Sequence, residues 1–203
     1  SQGAVSAPVH APTSGRIAAI GDFPAPHPSG LPVATLSIEA DGEDRWIDTQ
    51  ALDDPFALSP EEVAVRVGAA GIVGLGGAAF PAAVKLNLSR RSEVRTLIMN
   101  GGECEPYLTC DDRLMRERAS AIVEGIRIIR HATGAAEVLV GIEDNKPEAI
   151  ESMAAAAQGT EVRVVAVPAM YPMGSEKQLI QVLTGQEVPA GGRAADIGVL
   201  VHN

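Results

Sequence analysis

From Ser59 onward, apolar residues recur with two alternating periods. Ser59-Pro60-Glu61-Glu62 opens a helix that runs to about Ala70 and stops at Gly71. The serine hydroxyl takes a free backbone N–H, Glu62 reaches back to the cap, and proline suits the first helical position. Val94 to Met99 is an apolar run of strand type. From Asp111 to about His131 the apolar residues Leu114, Ala121, Ile122, Ile126 and Ile129 return at helical spacing, and Gly134 ends the run. Glu137 to Ile142 reads as a strand, Pro147 to Ala157 as a helix and Val162 to Val167 as a strand. Ser175 to Leu183 reads as a helix closed by Gly185. Strands alternating with helices predict an α/β fold, a Rossmann-like parallel sheet with helices on both faces.

The segment before Ser59 follows a different pattern. Short alternating stretches, Gly15 to Ile20 and Pro32 to Ile38, are separated by Gly, Pro and Asp, which predicts short strands and turns. We therefore expect two domains: a small β module over 1–57 and an α/β domain over 58–203. Charge divides similarly, with two arginines against eight acids over residues 1–56. The whole chain of 203 residues carries −10 and is 46% hydrophobic, so it can bury a core and lacks the basic face that nucleic-acid binding needs. No run of about 18 apolar residues predicts a membrane span, and no signal peptide is evident. The chain begins without Met and stops in the apolar stretch Val201-His202-Asn203, so it reads as a piece of a longer protein.

Three loops concentrate chemistry. The first is Gly71-Ile72-Val73-Gly74-Leu75-Gly76-Gly77-Ala78-Ala79-Phe80-Pro81, with Lys85 one turn into the following helix. Its G-x-G-x-x-A spacing follows a helix rather than a strand, so it fails as a Rossmann fingerprint. Adjacent glycines still let backbone N–H groups approach a phosphate, and the helix start adds a favourable dipole. The second loop, Asn100-Gly101-Gly102-Glu103-Cys104-Glu105-Pro106-Tyr107-Leu108-Thr109, follows the first strand of the α/β region. The third, Ala169 to Lys177, follows the last predicted strand and carries Tyr171, Ser175 and Glu176. Ligands of open α/β sheets bind beyond the strand carboxyl ends. Three of the six aromatics (Phe80, Tyr107, Tyr171) and two of the three lysines (Lys85, Lys177) fall in these loops. One shared pocket for a flat phosphorylated ligand, a flavin or a dinucleotide, follows.

Other chemistries find little support. His10, His27 and His131 share no ligand spacing, so no metal site is expected from them. The two cysteines, Cys104 and Cys110, read as reduced thiols and cannot build a four-thiolate cluster within one copy. No nucleophile elbow or HExxH is present.

The residues Gly74 to Pro81 with Lys85, and Asn100 to Pro106, resemble motifs of the flavin- and NADH-binding subunit of respiratory complex I. Asn100 to Thr109 with Asp111-Asp112-Arg113-Leu114-Met115, and Tyr171-Pro172-Met173-Gly174-Ser175-Glu176-Lys177-Gln178-Leu179, resemble more closely the C subunits of Rnf-type electron transport complexes. The resemblance covers the chain from about residue 60. Ala7 to Ile17 looks like the barrel-sandwich pattern of biotinyl and lipoyl carriers, without their modified lysine; docking is expected of it rather than carriage of a swinging arm.

The resemblance implies an FMN site at Gly74, Gly76, Gly77, Lys85, Asn100 and Asn203. It implies a nicotinamide site, with NADH as substrate, at Phe80, Glu103, Glu105, Tyr171 and Glu176. No catalytic residue is singled out. It further implies hydride passage between NADH and FMN, then single electrons to [4Fe–4S] clusters held elsewhere in the full-length protein. The partners implied are the other subunits of an Rnf-type ion-translocating NAD:ferredoxin oxidoreductase. The full protein would lie peripherally on the cytoplasmic side of the bacterial inner membrane, without inserting; the fragment would be soluble. A soluble cobalamin reductase of the same family and a docking scaffold are the alternatives. Three positions depart from the complex I pattern: Leu75 stands where Arg is usual, Ala79 where Gly is, and Gly102 where Asp is.

Overall fold

The computed structural model describes residues 3, 5–49, 51–89 and 92–203. The chain divides into two compact units, Val9–Asp53 and a second made of Ser1–Pro8 with Asp54–Asn203.

In the smaller unit, β1 (Gly15–Pro24) and β2 (Pro32–Ala40) pair antiparallel, with a register shift between Ile17 and Ala19. Ile17, Ile20, Phe23, Val33 and Leu36 on this ribbon remain exposed. Asp41 ties the strand ends together: it accepts from the Ser14 hydroxyl at 2.6 Å and pairs with Arg45.

The larger unit holds α1 (Pro60–Ala69), α2 (Ala82–Ser89), β3 (Thr96–Gly101), α3 (Cys110–Thr133) and β4 (Glu137–Glu143). It continues with α4 (Pro147–Ala156), β5 (Val162–Val167), α5 (Glu176–Thr184) and β6 (Val199–His202). The four strands are parallel, in the order β5-β4-β3-β6. Side-chain alternation along each strand feeds two cores. Leu97, Val138, Val140 and Leu200 pack with Met115, Val123 and Ile126 of α3 and Met153 of α4. Ile98, Leu139, Val199 and Val201 pack on the other face with Leu179 and Ile180 of α5. Helices therefore cover both faces of the sheet. Each fully buried aliphatic side chain here contributes roughly 1.5–3 kcal/mol. A third cluster joins Val63 of α1, Leu86 of α2 and Ala132 of α3.

The capping box at Ser59 forms as expected, with Glu62 N–H donating to the Ser59 hydroxyl and Ser59 N–H to the Glu62 carboxylate. Elsewhere the bounds shift. β3 begins at Thr96 rather than Val94, and Arg95 N–H and Thr96 N–H both donate to Gly198 O where the pairing with β6 begins. α3 begins at Cys110 and is kinked at Arg118. Ser175 occupies the N-cap position of α5, but its side chain makes no capping bond. β6 is an additional strand; at four residues it is too short to declare itself by periodicity. Among the described residues no helix is long and apolar enough to cross a membrane.

Candidate functional site

Winding runs outward from β3 through β4 to β5, then returns across the sheet to β6 on the other side of β3. The reversal leaves a crevice at the carboxyl ends of β3 and β6, where open α/β sheets bind ligands. Met99 of β3 faces His202 of β6 in register, so Asn100 and Asn203 follow side by side. A cleft of about 200 Å³ opens there. Its wall on one side is the glycine loop, with Gly74, Gly76, Ala78, Ala79 and Phe80. Its floor is Asn100, Val201, His202 and Asn203, and Lys85, Gly174 and Glu176 complete it.

Local geometry holds each part. The glycine loop is pinned at its base, where Gly74 N–H donates to Phe80 O at 3.0 Å and Ala82 N–H to Ile72 O at 3.0 Å. A Cβ on Gly76 would lie 3.4 Å from Asn203 Cγ, so glycine keeps this side of the cleft open. Asn100 joins the other two loops: its Oδ1 accepts from Gly102 N–H at 3.0 Å, and its Nδ2 donates to Gly174 O at 2.8 Å. Gly174 N–H donates to Cys104 Sγ at 2.9 Å. A Cβ at Gly174 would fall 2.6 Å from that sulfur and 2.8 Å from Gly102 O, so the two backbones touch only because residue 174 is glycine.

Charge in the cleft is unusual. Lys85 is half-buried, donates to Val201 O at 2.5 Å, and sits 5.8 Å from the Phe80 ring centroid. Burial lowers its pKa, and the Glu176 charge opposes the shift. His202 is 5% exposed, and its Nε2 has no hydrogen-bond partner. Burial first, and then the Lys85 charge, hold its pKa down at about 4, so the imidazole is neutral at pH 7. Asp111, at the start of α3, has its pKa raised by burial and by the Glu103 and Glu105 charges, against the Asn203 hydrogen bond and Lys146.

Seven of the residues implied by the resemblance meet in this cleft: Gly74, Gly76, Phe80, Lys85, Asn100, Glu176 and Asn203. Four do not line it. Gly77 adopts a φ of 89° at the loop tip, with open space where a Cβ would be. Glu105 is exposed, and Tyr171 is 81% exposed. Glu103 is turned inward: its side chain is 4% exposed, its Oε2 pairs with Lys146 Nζ at 2.6 Å, and its Oε1 accepts from Asp111 N–H at 2.8 Å.

Both thiols are free, and Cys104 is more than a bystander, because it braces Gly174 at the cleft wall. Sequence reasoning missed three contributors. His202 stands beside Asn203 in the chain, and Gly174 lies inside a motif already noted, so both had a local signal. Lys146 had none, since its partner lies 43 positions away. His131, expected at a helix end, is in the last turn of α3, where its Nε2 meets Leu58 O at 2.7 Å.

The family model of the Nuo51 FMN-binding domain matches residues 67–203, and the chain belongs to that family. Residues 1–43 match a second model, the RnfC barrel sandwich hybrid domain. Among curated proteins, the chain is 56% identical over 204 positions to the C subunit of the ion-translocating oxidoreductase complex of Rhodobacter capsulatus, covering 100% of this chain and 39% of that protein. It is 52% identical over 201 positions to the corresponding C subunit of Pseudomonas aeruginosa, covering 99% of this chain and 26% of that protein. The chain thus spans well under half the length of these relatives. Among solved structures, it resembles an NAD+-reducing [NiFe]-hydrogenase in the H2-reduced state. The TM-score is 0.62 at 25% identity, over 73% of this chain and 29% of that one.

Proposed function

We propose that this chain is the FMN-binding module of the C subunit of an ion-translocating oxidoreductase complex, and that the same cleft admits NADH. The observation that carries the reading is the joint arrival of the glycine loop, a half-buried lysine and two asparagines at the β3/β6 crevice. The residues fit FMN. Backbone N–H groups around Gly74 and Gly76, with the start of α2 and the Lys85 ammonium, suit a phosphate. Asn100 and Asn203 offer amide groups, and the unpartnered Nε2 of His202 is a buried polar atom in want of one. When bound, FMN supplies a two-electron hydride acceptor that can release electrons singly. The chain's part is to hold the ring, keep its surroundings dry and leave one face open to the nicotinamide.

On the nucleotide side, Phe80 and Glu176 line the cleft, and Glu105 and Tyr171 stand exposed. The onward acceptors are [4Fe–4S] clusters whose ligands come from outside this chain, since two cysteines cannot supply four thiolates. The partners are the other subunits of the membrane complex, and the cytoplasmic face of the membrane is the location that delivers NADH.

The test is a titration of the flavin-free full-length protein with FMN, followed by flavin fluorescence, and then anaerobic addition of NADH. Saturable quenching at one site, followed by bleaching of the flavin absorbance, is expected. A protein that binds no FMN overturns the reading; one that binds FMN but resists NADH overturns its nicotinamide half.

A further inference from the structure

Lys146 lies outside the cleft and precedes the first turn of α4, yet its side chain is only 15% exposed. It faces Glu103, Asp112 and Glu143. The Glu103 carboxylate is spent in two directions, on Lys146 Nζ at 2.6 Å and on the backbone N–H of Asp111 at 2.8 Å. Asp111 in turn accepts from Asn203 Nδ2 at 2.9 Å, and the same Nδ2 donates to Asn100 O at 3.0 Å. Both amide hydrogens of Asn203 are thereby assigned, which leaves its Oδ1 on the side of Gly76, where an added Cβ would sit 3.6 Å away.

We propose that Lys146 is a positioning residue for the cleft: its ion pair with Glu103 fixes Asp111, and Asp111 fixes the amide of Asn203 that the ligand meets. The inference rests on the FMN reading above. It assigns Glu103 a role behind the cleft, rather than contact with the nucleotide.

The physics is that of a buried carboxylate with one cationic partner. Removing the cation leaves Glu103 charged and uncompensated beside Glu143 and near Asp111 and Glu105, a costly state that the local structure relieves by moving. The first group able to move is the Asp111 turn, which carries Asn203 with it. Removing both charges relieves the same state without any motion. Burial of Lys146 works against its charge, but the Glu103 hydrogen bond and charge, with Asp112 and Glu143, outweigh it and raise its pKa. Lys146 therefore carries its charge across the neutral range.

The experiment measures FMN affinity, by fluorescence quenching, and the melting of the flavin-free protein, both at full length. Lys146→Met is expected to weaken FMN binding by about tenfold, and Lys146→Arg to restore most of it. The double variant Lys146→Met with Glu103→Gln is expected to return to within about threefold of the parent. In an Asn203→Ala background, Lys146→Met is expected to add nothing further. Parent-like affinity in Lys146→Met overturns the proposal, as does an undiminished effect in the Asn203→Ala background. If Lys146→Met fails to fold, the double variant decides: weak binding by a folded double variant overturns the proposal. A parent protein that takes up no FMN is a separate result, and overturns the flavin reading first.

Discussion

Replacing Lys85 by Met keeps the aliphatic stem and removes the charge. In the structure that charge is half-buried and bonded to a neutral carbonyl, Val201 O, at 2.5 Å, and the acid whose charge acts on it is Glu176. A ligand phosphate carries about −1.5 to −2 at pH 7, so a bound FMN would offer the ammonium a better partner than a backbone carbonyl. Hydrogen bonds from an ammonium contribute roughly 1.5–3 kcal/mol; the one to the carbonyl falls near the lower end and the one to a phosphate, which adds the opposite charge, near or above the upper end. The difference is about 1–2 kcal/mol, or roughly 5- to 30-fold in Kd. Binding by the parent should weaken with added salt, and binding by Lys85→Met should weaken less. The assay is a quenching titration at two ionic strengths, paired with thermal melting of the flavin-free proteins. A variant that melts like the parent, binds FMN with unchanged affinity and keeps the parent's salt dependence removes Lys85 from the phosphate side of the cleft.

Further outcomes follow from the same geometry. His202 titrates at about 4 in the fold against 6.5 when unfolded. The unfolded chain therefore takes up its proton at higher pH, and stability falls as pH drops from about 6.5 towards 4, by up to roughly 3 kcal/mol. Denaturant melts of the parent and of His202→Gln should diverge in that window; parallel profiles would remove His202 as the cause. Gly174→Ala should destabilise the fold by about 1–3 kcal/mol, because the new methyl meets Cys104 Sγ and Gly102 O; an unchanged melting temperature would show that the loops can separate. Glu105→Gln, at an exposed position, should alter reduction by NADH while sparing FMN affinity. Equal effects on both would place Glu105 at the flavin.

Much of the α/β layout was legible because its signals are local. The Ser59–Glu62 cap, the period of α3 and the β-branched runs of β4 and β5 are each written within a few residues. β6 escaped because Val199–His202 offers no more than one apolar run, and its identity as a strand comes from pairing with β3. The glycine loop and Asn100 pointed to a pocket through their residue types. What residue types could not convey is direction. Glu103 and Glu105 are equivalent in sequence, yet one is drawn inward by a lysine from beyond β4 and the other faces solvent. His202 had a local signal in its neighbour Asn203, but its neutral state was not written there, since that derives from burial beside Lys85.

The pairing of β6 with β3 also sets a schedule for assembly. Asn100 and Asn203 are neighbours in space but 103 positions apart in the chain. At ribosomal speeds of about 5–20 residues per second, β3 waits roughly 5–20 s for the strand that completes its sheet. Throughout that interval one edge of β3, with Leu97 and Ile98 among its residues, is an open template for pairing with other chains. The nascent protein therefore passes through a window in which the crevice is incomplete and this edge of β3 is unpaired, and both conditions end together when β6 docks.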